Sequence, residues 1–236
     1  MRPKLLSAVL LFVVLTSLTA FTQQTYVSRF DAYGGYAFFD TPSLNLLQNG
    51  FNGEFGVNVV KWLALGFDFS VFTGSNNLTP AMLSNSVQQQ LGSAIAAGIA
   101  SGQIPPGYRL NYVPTNSTTY TYSAGPQINF RQLKEVTFFV RPALGALHES
   151  ATLNPTDPIT RALVEGLTGP TFQKTDTVVF YGFGGGMDFN FSRHFALRTA
   201  ADFVHYDMFS GLLNGGRNSV RFSIGPAIRF GGNILK

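Results

Sequence analysis

Apolar and polar residues alternate along most of this chain. The alternation is clearest in Asn218 to Phe230, NSVRFSIGPAIRF. One parity carries Val220, Phe222, Ile224, Pro226, Ile228 and Phe230. The other carries Ser219, Arg221, Ser223, Gly225, Ala227 and Arg229. Successive strand side chains point to opposite faces, so one face here is wholly apolar and the other small, polar or cationic. The same reading predicts further strands at about 27–39, 51–59, 63–73, 118–130, 136–148, 178–191 and 195–208. The connections alternate in length. Segments 60–62, 131–135 and 192–194 are short, whereas 40–50, 74–117, 149–177 and 209–217 are longer. Within the long segments, 81–100 and 158–167 have helical composition, the second opened by Asp157-Pro158.

The faces agree from strand to strand. One set includes Phe30, Tyr36, Phe38, Phe55, Leu65, Phe67, Phe69, Tyr122, Ile128, Phe138, Val140, Phe183, Phe189 and Phe203. No charge falls on that face until the end of the seventh strand, at His205 and Asp207. On a lipid-facing surface an Arg or Lys at mid-bilayer costs about 2–4 kcal/mol, so this set fits lipid. The opposite set, predicted to face inward, holds Arg29, Asp31, Glu54, Asp68, Arg141, Asp188, Arg198, Asp202, Arg221 and Arg229, with Gly182, Gly184 and Gly186. A soluble lipid-carrying barrel would be apolar inside and polar outside, the reverse of this pattern. Trp62, Phe130, Phe191, Phe195 and Phe230 fall at the ends of strands that meet the short turns, as an aromatic girdle would.

Composition narrows the class. Charged residues are 12% of the chain, below the roughly 25% of soluble domains. No internal apolar run reaches the roughly 18 residues of a membrane helix. Apolar residues at every second position reconcile these two facts. Residues 1–22 read as a cleaved secretory signal: Arg2 and Lys4, then apolar Leu5 to Leu18, then small Ala20 and Thr22. Residues 23–236 then form one barrel domain. Losing Arg2 and Lys4 takes the formal charge from +4 to +2 and leaves no basic cluster for nucleic acid. Cysteine is absent, which excludes disulfides and thiolate metal sites.

Ser223, Gly225, Ile228 and Phe230 are spaced as polar, x, Gly, x, x, hydrophobic, x, aromatic. This resembles the C-terminal assembly signal of bacterial outer-membrane β-barrels, although GGNILK follows Phe230 where that family usually ends on the aromatic. From Val27 to Phe230 the chain resembles the small OmpA/OmpX-type barrels of the outer membrane protein β-barrel domain group. The resemblance implies an all-β fold: an eight-stranded antiparallel up-and-down transmembrane β-barrel with short helices in long extracellular loops. It also implies both termini in the periplasm, a monomer without cofactor or metal, and contact with outer-membrane lipid and lipopolysaccharide. Periplasmic chaperones and the barrel assembly machinery would be partners in transit. Ser123 to Phe130 (SAGPQINF) parallels Ser223 to Phe230 (SIGPAIRF), either by duplication of a four-strand half or by shared membrane constraints.

Candidate chemistry is sparse. His205 and Asp207 resemble the His-x-Ser segment of outer-membrane lipid A deacylases, but an Asp there cannot form the acyl-enzyme of a serine nucleophile. His148-Glu149-Ser150 are neighbours on one strand and point alternately, so they form no triad. No residues have metal-ligand spacing. Counting back from turn 192–194 sets Asp188 opposite Arg198, and from 60–62 sets Glu54 opposite Asp68, with Arg141 or Arg221 within reach. The expectation is a non-enzymatic outer-membrane barrel with a structural or surface-interaction role, its interior plugged by a charge network. A small-solute pore is the first alternative and a lipid A hydrolase the second.

Overall fold

In a computed structural model, residues 24–235 are described. The expected signal segment 1–22 lies outside them. Eight strands close a barrel: β1 (Ser28–Thr41), β2 (Leu46–Val60), β3 (Leu63–Leu78), β4 (Val113–Phe130), β5 (Val136–Leu153), β6 (Gln173–Asn190), β7 (Phe195–Tyr206) and β8 (Arg217–Asn233). Each pairs antiparallel with the next, and β8 returns to β1. The registers include Asp188↔Arg198 and Glu54↔Asp68. Ser28 pairs with Asn233, so the start of β1 and the end of β8 share the rim of the short turns.

Strands β1 to β6 run farther than the alternation predicts at the loop end, whereas β7 stops short at Tyr206 and β8 gains most at its turn end, reaching Asn233. β3 and β4 stay paired out to Leu78↔Val113, and β5 and β6 out to Thr152↔Gln173. Thr- and Asn-rich stretches such as Val113 to Thr119 lack an apolar face, yet the ladder carries them past the apolar band. The expected long connection 40–50 is instead tight. β1 and β2 pair to Thr41↔Leu46, leaving a single 3-10 turn at Pro42–Leu44 and a left-handed Asn45.

Two loop helices are α1 (Asn85–Ala100) and α2 (Pro158–Thr168). α1 starts later than the composition suggests. A 3-10 turn at Pro80–Met82 comes first, then Leu83 is extended and bridges to Leu213. Ser84 caps the helix by accepting from the Val87 amide. Asp157 caps α2, its carboxylate accepting from the Thr160 amide at 2.8 Å, with Pro158 in the first turn where no N–H is missed.

The wall has two interruptions. Ladder partners between β4 and β5 stop at Ser123↔Gly145 and resume at Ile128↔Val140. By register Pro126 stands opposite Pro142, and neither has an N–H to give. Between β1 and β8 the partners stop at Tyr33↔Ala227 and resume at Tyr36↔Ile224, beside Pro226. The parallel segments of β4 and β8 thus each carry a proline at the same height, half a barrel apart.

Candidate functional site

The outer surface of the wall is apolar. Tyr36, Phe51, Phe55, Leu65, Phe67, Phe138, Val140, Leu144, Phe183 and Ile228 are all exposed. Trp62, Phe130, Phe191, Phe195 and Phe230 are exposed around the turn-side rim. Inside, the turn-side half of the lumen is ionic. Of the ten charged residues expected there, nine join one connected network: Asp31, Glu54, Asp68, Arg141, Asp188, Arg198, Asp202, Arg221 and Arg229.

Arg198 is its hub. Its Nε donates to Asp188 at 2.8 Å, Nη1 to Glu54 at 2.8 Å and Nη2 to Asp31 at 3.3 Å. The guanidinium also lies over the Tyr33 and Phe139 rings, 5.7 and 5.1 Å from their centroids. Asp188 accepts a second cation, Arg229, at 2.6 Å. Arg141 reaches across the lumen to Glu54 at 2.7 Å and Asp202 at 3.0 Å, and lies 3.7 Å from Asp68. Arg221 links Asp202 to Asp68 from the other side. The facing carboxylates Glu54 and Asp68 are therefore separated by cations rather than left to repel.

The wall is shaped around these groups. A Cβ on Gly184 would stand 1.8 Å from the Asp202 carboxylate, so only glycine leaves Asp202 its place. A Cβ on Gly225 would stand 2.3 Å from the Gly34 carbonyl, where β8 closes on β1. Around Asp31, Glu54, Asp68 and Arg141 there remains a cavity of about 30 Å³. A water needs roughly 10–15 Å³, so this holds about two.

Arg29, the tenth expected member, is exposed and makes none of these ion pairs. The β1–β8 register shifts between Ser28 and Phe30, and the irregularity turns Ser28 inward and Arg29 outward. A cation the alternation did not reveal stands in its place. Arg131 is buried just past β4, donating to the Asn58 side chain at 2.8 Å and to the Lys61 carbonyl at 3.0 Å. Asn58 in turn donates to Asp31 at 3.3 Å. Burial pushes the Arg131 guanidinium down to about 10, so it stays charged at neutral pH. It lies in a turn, where strand parity has no meaning, so only its distance from the strand end could have flagged it.

The loop-side half of the lumen departs from the expected polar interior. Phe39, Phe72, Leu147, Phe180 and Val204 point inward and are buried, continuous with Leu83, Val87 and Leu91 at the start of α1 and with Phe209 and Leu213. Leu153, Val113 and Val164 of α2 form a smaller cluster beside it. The loops are therefore packed onto the mouth. Arg217 and Glu149 are buried in this half, Arg217 donating to the Met208 carbonyl at 2.6 Å.

The assembly-signal positions split by face: Ser223 and Gly225 inward, Ile228 and Phe230 outward and exposed. The strand continues to Asn233, so the aromatic is not terminal in the ladder. His205 bonds Asn218 at 2.8 Å and Asp207 lies beyond β7, exposed. His148 faces out, bonding Thr177 at 2.7 Å, while Glu149 is buried, so the three neighbours do not converge. Among the described residues no cluster of three or more His, Cys, Asp or Glu is arranged to hold a metal.

No family model matches this sequence, and no curated protein matches it. Among solved structures it is similar to neisserial surface protein A, with 12% identity and a TM-score of 0.48 over 85% of this chain and 96% of that one. It is similar to Ail of Yersinia pestis, solved with the heparin analogue sucrose octasulfate, at 13% identity and a TM-score of 0.46 over 86% and 97%. OprG of Pseudomonas aeruginosa gives 9% identity and a TM-score of 0.47 over 89% and 100%. At such identities the chain's own geometry decides its class. Closure at eight antiparallel strands, an apolar exterior with an aromatic rim, and an ionic lumen give it the fold of a small transmembrane β-barrel.

Proposed function

We propose that the chain is an integral outer-membrane barrel with a structural or surface-interaction role, non-enzymatic and closed to solutes by its ionic layer. The observation that carries this reading is the nine-member network spanning the lumen from β1 to β8. Every acid in it touches at least one Arg, and Arg198 and Arg141 each touch three acids. The cavity beside Asp31, Glu54, Asp68 and Arg141 suits water, not a solute. Residues 1–22 are removed as a signal, the turns and both termini face the periplasm, and the loops with α1 and α2 face outward. That arrangement puts the long loops where a partner or lipopolysaccharide meets them. The Ser223, Gly225, Ile228 and Phe230 positions serve recognition by the assembly machinery before β8 closes on β1.

The test is topological. The protein should fractionate with the outer membrane and run differently on gels before and after boiling. A tag within α1 should react with a reagent outside intact cells. If the tag reacts only after permeabilisation, the orientation is reversed. For the hydrolase alternative, purified protein would have to release fatty acid from lipopolysaccharide and lose that release with His205→Ala.

A further inference from the structure

The two rims of the barrel differ in charge. Among the described residues, the turn-side rim carries Arg29 at the start of β1, Lys61 between β2 and β3, Lys134 between β4 and β5, and Arg193 between β6 and β7. Each connection at that rim joins every second pair of strands. Leaving aside the buried Arg131, these four cations stand a quarter-turn apart, one at each junction including that of β8 with β1. The acid among these rim residues is Glu135. The loop side is the reverse, with Asp40, Asp157, Glu165, Asp176 and Asp207 against Arg109, Arg161 and Lys174.

The cations also sit beside the aromatic girdle. Lys61 immediately precedes Trp62, which is 56% exposed and whose carbonyl accepts from the Asn129 amide at 2.7 Å. Lys134 lies in the neighbouring turn, because β3 pairs with β4. Arg193 lies between Phe191 and Phe195 with its guanidinium 5.8 Å from the centroid of the Tyr26 ring. The Arg29 Cβ lies against Gly231, beside Phe30 and close to Phe230. Aromatic rings settle at headgroup depth, and long basic side chains beside them reach outward to phosphate level. Here basic residues and girdle aromatics stand together on every side of the barrel.

We propose that the turn-side rim is a binding collar for anionic phospholipid, with Arg29, Lys61, Lys134 and Arg193 each meeting headgroup phosphates of the leaflet around it. This rests on the membrane-barrel reading above. With the turns periplasmic, the lipid is phospholipid and not lipopolysaccharide. A collar spaced evenly around the wall selects annular lipid by charge and fixes the barrel's depth, with no single deep pocket.

The chain supplies its own probe, because Trp62 is its sole tryptophan. The full-length mature protein is folded into phosphatidylcholine vesicles containing phosphatidylglycerol, and Trp62 quenching is compared for brominated phosphatidylglycerol and brominated phosphatidylcholine at equal mole fraction. The expected relative binding constant favours phosphatidylglycerol about threefold at low salt, within the roughly fivefold that one basic residue supplies at a charged surface. It should fall toward one in Lys61→Gln/Lys134→Gln and, for the unaltered protein, as salt is raised to about 1 M. Arg193→Gln, on the opposite side of the rim, should leave the Trp62 preference unchanged. Equal constants for the two lipids in the unaltered protein, or a preference that neither salt nor the Lys61/Lys134 change reduces, would overturn the collar. Protease protection and gel mobility report insertion separately. A chain that does not insert refutes the membrane reading itself, whereas an inserted chain without lipid preference refutes only the collar.

Discussion

Two layers share one lumen and are held together by opposite means. The turn-side layer is an ion-pair network around Arg198, Arg141 and Arg221. The loop-side layer is apolar, built from Phe39, Phe72, Leu147 and Phe180 with Leu83, Val87 and Leu91. The contrast follows from where water is. Outside the wall, lipid is as apolar as the side chains it meets, so packing there yields little hydrophobic drive. Under the loops the alternative to burial is water, and apolar residues hold the loops onto the mouth by the ordinary hydrophobic effect. Deeper in, charges are kept, and desolvation makes each one depend on its partners. The ionic layer is thus brittle to single changes, and the apolar layer is graded.

That difference sets the size of the expected effects. Removing one member of the ionic layer should do the most damage. Asp188→Ala leaves Arg198 and Arg229 without their shared acceptor, and losses of about 3–5 kcal/mol are typical for a broken buried pair. Asp188→Ala with Arg198→Ala should cost less than the sum of the two single changes. Urea unfolding in lipid vesicles measures all three proteins, and strictly additive losses would show the pair uncoupled.

Truncation in the apolar layer should be smaller and local. Leu91→Ala should cost about 2–4 kcal/mol of packing, read as faster amide exchange over α1, with the barrel's urea midpoint little changed. A midpoint that falls as far as in Asp188→Ala would mean that the two layers unfold as one unit and that the contrast is false.

The smallest effect is at the Asp157 cap. Its bonds to the Thr160 hydroxyl and amide hold the carboxyl below the usual aspartate range. The contribution is therefore complete above the ordinary value near 4 and fades as pH falls through the lowered one. Asp157→Ala should cost α2 about 1 kcal/mol at neutral pH, seen as fraying of Pro158 to Thr168 by amide exchange. The difference between the two proteins should shrink in acid. An undiminished difference at low pH would assign the effect to something other than the charge.

The two layers also differ in how legible they are in the sequence. Strand number, faces and the pairs Asp188–Arg198 and Glu54–Asp68 are legible from alternation and turn position alone, because a two-residue period fixes both face and register. The network's extent is not. Arg29 is lost to a register irregularity, and Arg131 enters from a turn. The apolar layer is legible least. Phe39, Phe72, Leu147 and Phe180 stand on the inward parity, but nothing local shows that α1 and the loop to Leu213 fold back over them. That depends on contacts between segments far apart in sequence. Extensions such as Val113 to Thr119 were hidden too, since paired neighbours and not an apolar face keep them in the ladder.

The proposed seal of the barrel is the ionic layer and not the loop cap. Planar-bilayer conductance tests it most directly, with the intact mature protein beside a variant lacking the α1 loop. Eight strands enclose a lumen that side chains can fill. Both proteins are predicted to show little or no steady current. Large, stable, porin-like steps from the intact protein would contradict the plug outright. Such steps only after loop removal would move the seal from the ionic layer to the cap.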